Sequence, residues 1–200
     1  MNESITPLNS GYYLKEMTEK EFFPLFGQHY DRIFGEDHTF FASDHYSPEE
    51  KAKVKALGQR MGNLYRLHVG VFSPEHEFVG FSFGYQETAE TFYMVCSAVI
   101  EDHRRKGLYS GLLDFVIDRV EDVGFQVIYS THCATNNAVI IPKLKAGFVI
   151  AKLELSDMFG VVVNLHYYTN PLRRKAMDYR SGLKIPDGEL RALMKLDIKP

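Results

Sequence analysis

Tryptophan is absent from the 200 residues, cysteine occurs only twice, and no apolar run approaches the roughly 20 residues of a membrane-spanning helix. Charge of either sign is also not in excess. The formal net charge is −3, so nothing in the composition pulls the chain toward nucleic acid or an anionic membrane. Cys96 and Cys133 are too few to staple a chain of this size, which is long enough to bury one good core, and reduced thiols are expected. Residues 1–10 lack the basic-then-apolar order of a secretory signal, so the expected compartment is the cytoplasm. Metal-ligand spacing is missing too. Asp37-His38 and Asp44-His45 have no i,i+4 frame and fall in a predicted loop, so no metal site is expected.

What the chain does have is phenylalanine and tyrosine, 15 and 12 of them, enough for an aromatic core or cleft. It also has a basic, glycine-bearing turn, Arg104-Arg105-Lys106-Gly107-Leu108-Tyr109-Ser110-Gly111. That turn stands between a strand-like run at 92–100 and an amphipathic helical pattern at 108–123. The helix is predicted to bury Leu108, Leu112, Leu113, Val116, Ile117, Val120 and Val123, and to end at Gly124. The first N–H groups of a helix have no partners within it, and its dipole puts partial positive charge there. With three adjacent cations, the turn reads as an anion site built from the N–H groups of residues 105–110.

The pattern elsewhere predicts a strand at 12–18 and a helix at 19–34, entered through a Thr18/Glu21 capping box. Ser47 and Pro48 open a second helix. Strands at 64–73 and 77–88 form a hairpin around Pro74-Glu75-His76, and a further strand covers 126–134. A short helix follows, expected to begin near Val139 or to kink there because Pro142 lacks an N–H. A last hairpin, 148–155 with 161–169, precedes a basic tail of one or two helices. The element order is β-α-α-β-β-β-α-β-α-β-β, an α/β (α+β) fold with a mixed, mostly antiparallel sheet and helices on both faces. The reading places one domain at 1–170 and a C-terminal extension at 171–200 packed on it.

Residues 99–109 resemble the pyrophosphate loop of the GNAT superfamily of N-acetyltransferases, which reads Gln/Arg-x-x-Gly-x-Gly/Ala after a strand valine. Arg104, Gly107 and Val99 match it, and Tyr109 replaces the second small residue. A second stretch, residues 136–148, resembles the family's later motif. Its Asn136 lies eleven residues before Gly147-Phe148, the family's spacing.

The resemblance implies a GNAT-like fold and an acyltransferase using acetyl-CoA as co-substrate, with an acetyl group passing directly to an amine. The acceptor would be a small molecule or a peptide. The implied donor-binding residues are the backbones of Ser97 and Val99, the loop Arg104, Arg105, Lys106, Gly107, Leu108, Tyr109 and Ser110, and Asn136. The Ser97 N–H would hold the oxyanion formed on attack. Asn136 reads equally as a helix cap. Tyr109 keeps its N–H on the turn, and its ring is expected to flank adenine or substrate.

Lys143 stands where many relatives carry the Tyr that protonates the departing thiolate. It reads either as a proton donor lowered by burial or as a solvated lysine. The strand at 92–100 has no carboxylate, where relatives often place a Glu. His132 is therefore the candidate base, titrating near neutrality, against the reading of a satisfied cleft histidine; Glu87 is the alternative. Cys133 is weighed as an acyl-carrying nucleophile, but His132 points to the opposite strand face. A non-catalytic acyl-CoA-binding module on the same fold is the rival reading. The oligomeric state stays open, with a homodimer among the forms the resemblance allows.

Overall fold

The computed structural model describes residues 5–34 and 42–196. Asp37-His38 lies outside them. Eight strands form one sheet in the order β1-β2-β3-β4-β5-β6-β8-β7. They are β1 Ile5–Pro7, β2 Tyr13–Glu16, β3 Arg66–Phe72, β4 Phe78–Gln86, β5 Thr91–Val99, β6 Val127–Cys133, β7 Val149–Ser156 and β8 Gly160–Tyr168. All neighbours are antiparallel except β5 and β6. The helices are α1 Glu19–Phe34, α2 Pro48–Gly58, α3 Leu108–Val123, α4 Asn137–Lys145, α5 Pro171–Arg180 and α6 Gly188–Leu193.

The two faces of the sheet carry different cores. On one, α3 buries Leu108, Leu112, Leu113, Val116, Ile117 and Val120 against Leu14, Val69, Phe92, Met94 and Ile128. Each such side chain taken out of water contributes roughly 1.5–3 kcal/mol. Val123 departs from expectation and is 47% exposed, because the chain turns at left-handed Gly124 and Phe125 takes the core position instead. On the other face, α1 lays Phe22 and Phe26 onto Phe78, Phe81 and Phe83. The Thr18/Glu21 box opens α1, with the Thr18 N–H donating to Glu21 at 2.8 Å.

Two irregularities shape the middle of the sheet. Val95 is an extra residue in β5, between the pairs Gly84↔Met94 and Phe83↔Cys96. This bulge turns Met94 and Val99 to the α3 core but Cys96 and Ala98 to the α1 core. The second is a fork. β5 and β6 pair only at Thr91↔Val127, Phe92↔Ile128 and Tyr93↔Tyr129. Beyond that, β5 stays with β4 and β6 with β8, so the sheet splits.

α4 begins at Asn137, not near Val139, and holds Pro142 inside it. The proline sits in the second turn, where its missing N–H leaves the Ala138 carbonyl without its i+4 donor and the helix continues. β1 was not foreseen; its three residues are too few for a period-two pattern. The tail is anchored through α5. Arg174 donates to Asp178 at 2.7 Å and also to the carbonyl of Gly147, the glycine of the second motif. Among the described residues no helix is long and apolar enough to cross a membrane.

Candidate active site

The turn between β5 and α3 has the backbone of an anion cradle. Arg105 takes φ 63° and Gly107 φ 76°, so the chain twice enters the left-handed region within three residues. Such alternation turns successive N–H groups inward. The first backbone bond of α3 is donated by Gly111 to the Gly107 carbonyl at 3.1 Å. Among the described residues, no acceptor meets the N–H groups of residues 105–110. Nothing lies within 4 Å of where a Gly107 Cβ would stand, so the approach from that side is open.

The three cations of the turn are held in different ways. Arg104 donates through Nε to the Val99 carbonyl at 2.9 Å and ties the turn to the end of β5. That bond occupies one side of a carbonyl expected to face the donor arm. Lys106 donates to the Tyr12 hydroxyl at 2.9 Å, and His103 Nδ1 lies 3.1 Å from the same oxygen. Arg105 alone among the three has no partner among the described residues. A short loop with its own carbonyls and a nearby tyrosine satisfies two cations locally before any ligand arrives.

The Tyr109 ring turns inward, and its hydroxyl shares a hydrogen bond with Ser97 Oγ at 3.0 Å. Burial pushes its phenol up to about 12, against the pull of the Ser97 bond. Asn136 precedes α4, but its side chain makes no capping bond; its carbonyl accepts from Ile140 at 3.0 Å. Its amide is thus not spent on the helix.

Lys143 lies at the crotch of the fork and is fully buried, so the solvated reading fails. Its Nζ donates to Ser130 Oγ at 2.7 Å and stands 3.0 Å from Met94 Sδ, with the Phe148 ring centroid at 5.3 Å. Met94 and Ser130 are the first residues of the two strands beyond their last pair. No carboxylate pairs with this amine among the described residues, and burial brings it down to about 7, slightly opposed by Cys96. A buried ammonium without a counter-charge costs several kcal/mol, so the free amine becomes accessible near neutrality.

His132 continues the chain. Its Nε2 is 2.9 Å from Ser130 Oγ. Ser130 accepts from Lys143, and its own proton can be donated to His132 Nε2 in the tautomer that carries its proton on Nδ1. Burial, and then the charge of Lys143, holds the imidazole down at about 3, so it does not titrate near neutrality as expected. Cys96 is pushed up to about 12 by burial. Ser130 and Cys96 escaped the sequence reading. The signal for Ser130 was its place two residues before His132, hence on the same strand face.

On the α1 face of the sheet, rings cross the foot of the fork. Tyr85, Tyr93, Tyr129 and His166 follow one another at centroid separations of 5.6, 4.6 and 5.6 Å. Tyr129 donates to Glu87 Oε1 at 2.5 Å. Beside them is a cleft of about 390 Å³, walled by Glu87, Tyr129, His166 and Tyr168 with Lys152 and Arg173 at its rim. Lys152 is paired with Glu154 and Arg173 with Glu90. Glu87 is therefore separated from His132 by the sheet, and the two base candidates face different spaces. Among the described residues, no three His, Cys, Asp or Glu side chains gather to hold a metal ion.

Comparison with known proteins bears on the fold and the family. No protein of curated function matches the chain. Among solved structures, the ribosomal-protein-S18-alanine N-acetyltransferase of Escherichia coli is 20% identical, with TM-score 0.56 over 78% of this chain and 93% of its own. The yncA protein of Salmonella typhimurium, solved with its cofactor acetyl-CoA, is 12% identical, with TM-score 0.59 over 80% and 95%. The ribosomal-protein-S5-alanine acetyltransferase of Vibrio fischeri is 11% identical, with TM-score 0.59 over 84% and 98%. These likenesses establish a shared fold. The acetyltransferase (GNAT) family model matches residues 28–148, a span that holds α3, the whole fork, Lys143 and the Gly147-Phe148 corner, and the chain belongs to that family.

Proposed function

We propose that this protein transfers an acetyl group from acetyl-CoA to an amine by direct attack, with no covalent enzyme intermediate. The observation that carries the proposal is the pairing of two features at the two strands that part: a row of N–H groups at residues 105–110, in the turn after β5, and a buried, uncharged-capable amine between the strands. The N–H row suits a diphosphate. The free edges of β5 and β6 beyond Tyr93 and Tyr129 offer main-chain groups to an extended amide-bearing arm. A thioester reaching the crotch then lies beside Lys143.

In the transfer, the acceptor nitrogen bonds to the thioester carbon and the carbon–sulfur bond breaks. The ammonium form of Lys143 gives its proton to the leaving thiolate, and a group near 7 is well matched to that exchange at neutral pH. His132 stays neutral and orients Ser130 through their hydrogen bond, and does not serve as the base. The acceptor enters from the α1 face, over the aromatic row, where Glu87 is the carboxylate available to hold or deprotonate an amine.

The test is thiol release from acetyl-CoA across a broad amine panel. Release above the enzyme-free rate with at least one amine is expected. Tight calorimetric binding of acetyl-CoA without release would instead favour a binding module, a reading supported by the absence of a carboxylate on β5. No binding at all would remove both.

A further inference from the structure

We infer that Lys143 is itself an acetylation site, modified by the protein's own acetyl donor when no acceptor is present. This rests on the reading of the fork as the place where the thioester comes to lie. The amine has the features of a nucleophile more than of a structural lysine. Structural buried lysines are paired with carboxylates; this one meets only a hydroxyl, a thioether and a ring face. Two hydrogen bonds hold it in place, one to the Ser130 hydroxyl and one to the weak thioether acceptor of Met94, and neither partner is charged. Its side chain has no exposure to bulk water, so a general solution reagent does not meet it.

The chemistry needs no further reactant. The Nζ lone pair attacks the thioester carbonyl carbon, a carbon–nitrogen bond forms, and the carbon–sulfur bond breaks. The proton shed by nitrogen goes to the departing thiolate, giving free thiol and an amide on Lys143. That amide can neither carry charge nor donate a proton to sulfur. The modified protein has lost its proton donor, and the same event relieves His132 of the neighbouring positive charge that depresses it. Self-acetylation therefore switches the site off when acetyl donor is plentiful and acceptor is scarce.

The experiment incubates the whole protein with acetyl-CoA and no amine at pH 7, follows intact mass, and maps the site by peptide mass spectrometry. Calorimetry of acetyl-CoA binding runs in parallel. An ordinary exposed lysine keeps only about one amine in 10³ free at pH 7. Lys143 is accordingly expected to be modified at least about 100-fold faster than the exposed Lys145. The preference should vanish in denaturant, where both lysines meet acetyl-CoA in water. Lys143→Arg, which keeps the charge but not the nucleophile, should remove the mapped product. Binding of acetyl-CoA with Lys143 unmodified, or modified no faster than Lys145, overturns the inference and leaves the acetyl-CoA reading standing. Absence of binding takes down the reading and the inference together. Since the decisive comparison is made within the wild-type chain, it does not depend on any variant folding.

Discussion

Lys143 and Ser130 meet 2.7 Å apart at the point where β5 and β6 part company, and among the described residues no carboxylate balances the lysine's charge. Removing the amine while keeping the volume isolates its role. Lys143→Met should lower kcat by about 10²–10⁴-fold, the usual weight of a positioned proton donor. Acetyl-CoA affinity should change little. A loss of affinity equal to the loss of rate would assign Lys143 to binding instead.

The same lysine makes stability depend on pH in a definite direction. Folding lowers it to about 7, against roughly 10.4 unfolded, so between these values the unfolded chain holds a proton that the folded one does not. Stability therefore rises as pH is raised through that window, by at most about 1.4 kcal/mol per unit. His132 adds a second rise between about 3 and the ordinary histidine value. Denaturant midpoints taken from pH 7 to 10 should climb in wild type and flatten in Lys143→Met. A flat wild-type profile contradicts a buried, depressed lysine.

Gly107 stands at φ 76° with empty space at its Cβ position. Gly107→Ala should cost about 1–2 kcal/mol in stability from the left-handed conformation alone. Calorimetry should show weaker acetyl-CoA binding as well, because the added methyl occupies the open approach. Unchanged affinity would place the diphosphate elsewhere.

Ser97 offers a test of backbone against side chain. Its hydroxyl is spent on Tyr109, leaving the proposed catalytic contribution to its N–H. Ser97→Ala should cost about 1–3 kcal/mol in stability, as the buried Tyr109 hydroxyl loses its partner, while kcat shifts by only a few-fold. A fall of 10² or more in kcat would show that the hydroxyl takes part.

Glu87 carries the acceptor side of the proposal. Glu87→Gln should raise KM for the preferred amine several-fold and leave acetyl-CoA binding unchanged. If kcat falls with unaltered KM, Glu87 is acting as the base.

Much of this architecture was readable because local signals agreed. The apolar stripe of α3, the Thr18/Glu21 box, the Ser47-Pro48 start and both hairpin turns each specify their element with side chains a few residues apart. The fork was not readable from spacing, since it depends on which strand each partner abandons and where. The Val95 bulge, which decides the face on which Cys96 lies, leaves no mark in the composition of β5. Lys143 was the hardest case. Lysines are seldom buried, and the close approach of Met94 from β5, Ser130 from β6 and Phe148 from the corner after α4 encloses this one. Arg104 and Lys106 show another limit: their charge is plain in the sequence, while their protein partners, the Val99 carbonyl and the Tyr12 hydroxyl, are not.

The bond from Arg174 to the Gly147 carbonyl gives the tail a mechanical part at the fork. Gly147 is the pivot between the helix that carries Lys143 and the strand after it, and Phe148, next in the chain, forms the wall behind the lysine's amine. A chain cut before α5 would keep every residue of both motifs yet lose the strut that steadies that corner. Shortening the protein at its far end should then be felt at its centre, as slack in the seat of a single buried nitrogen.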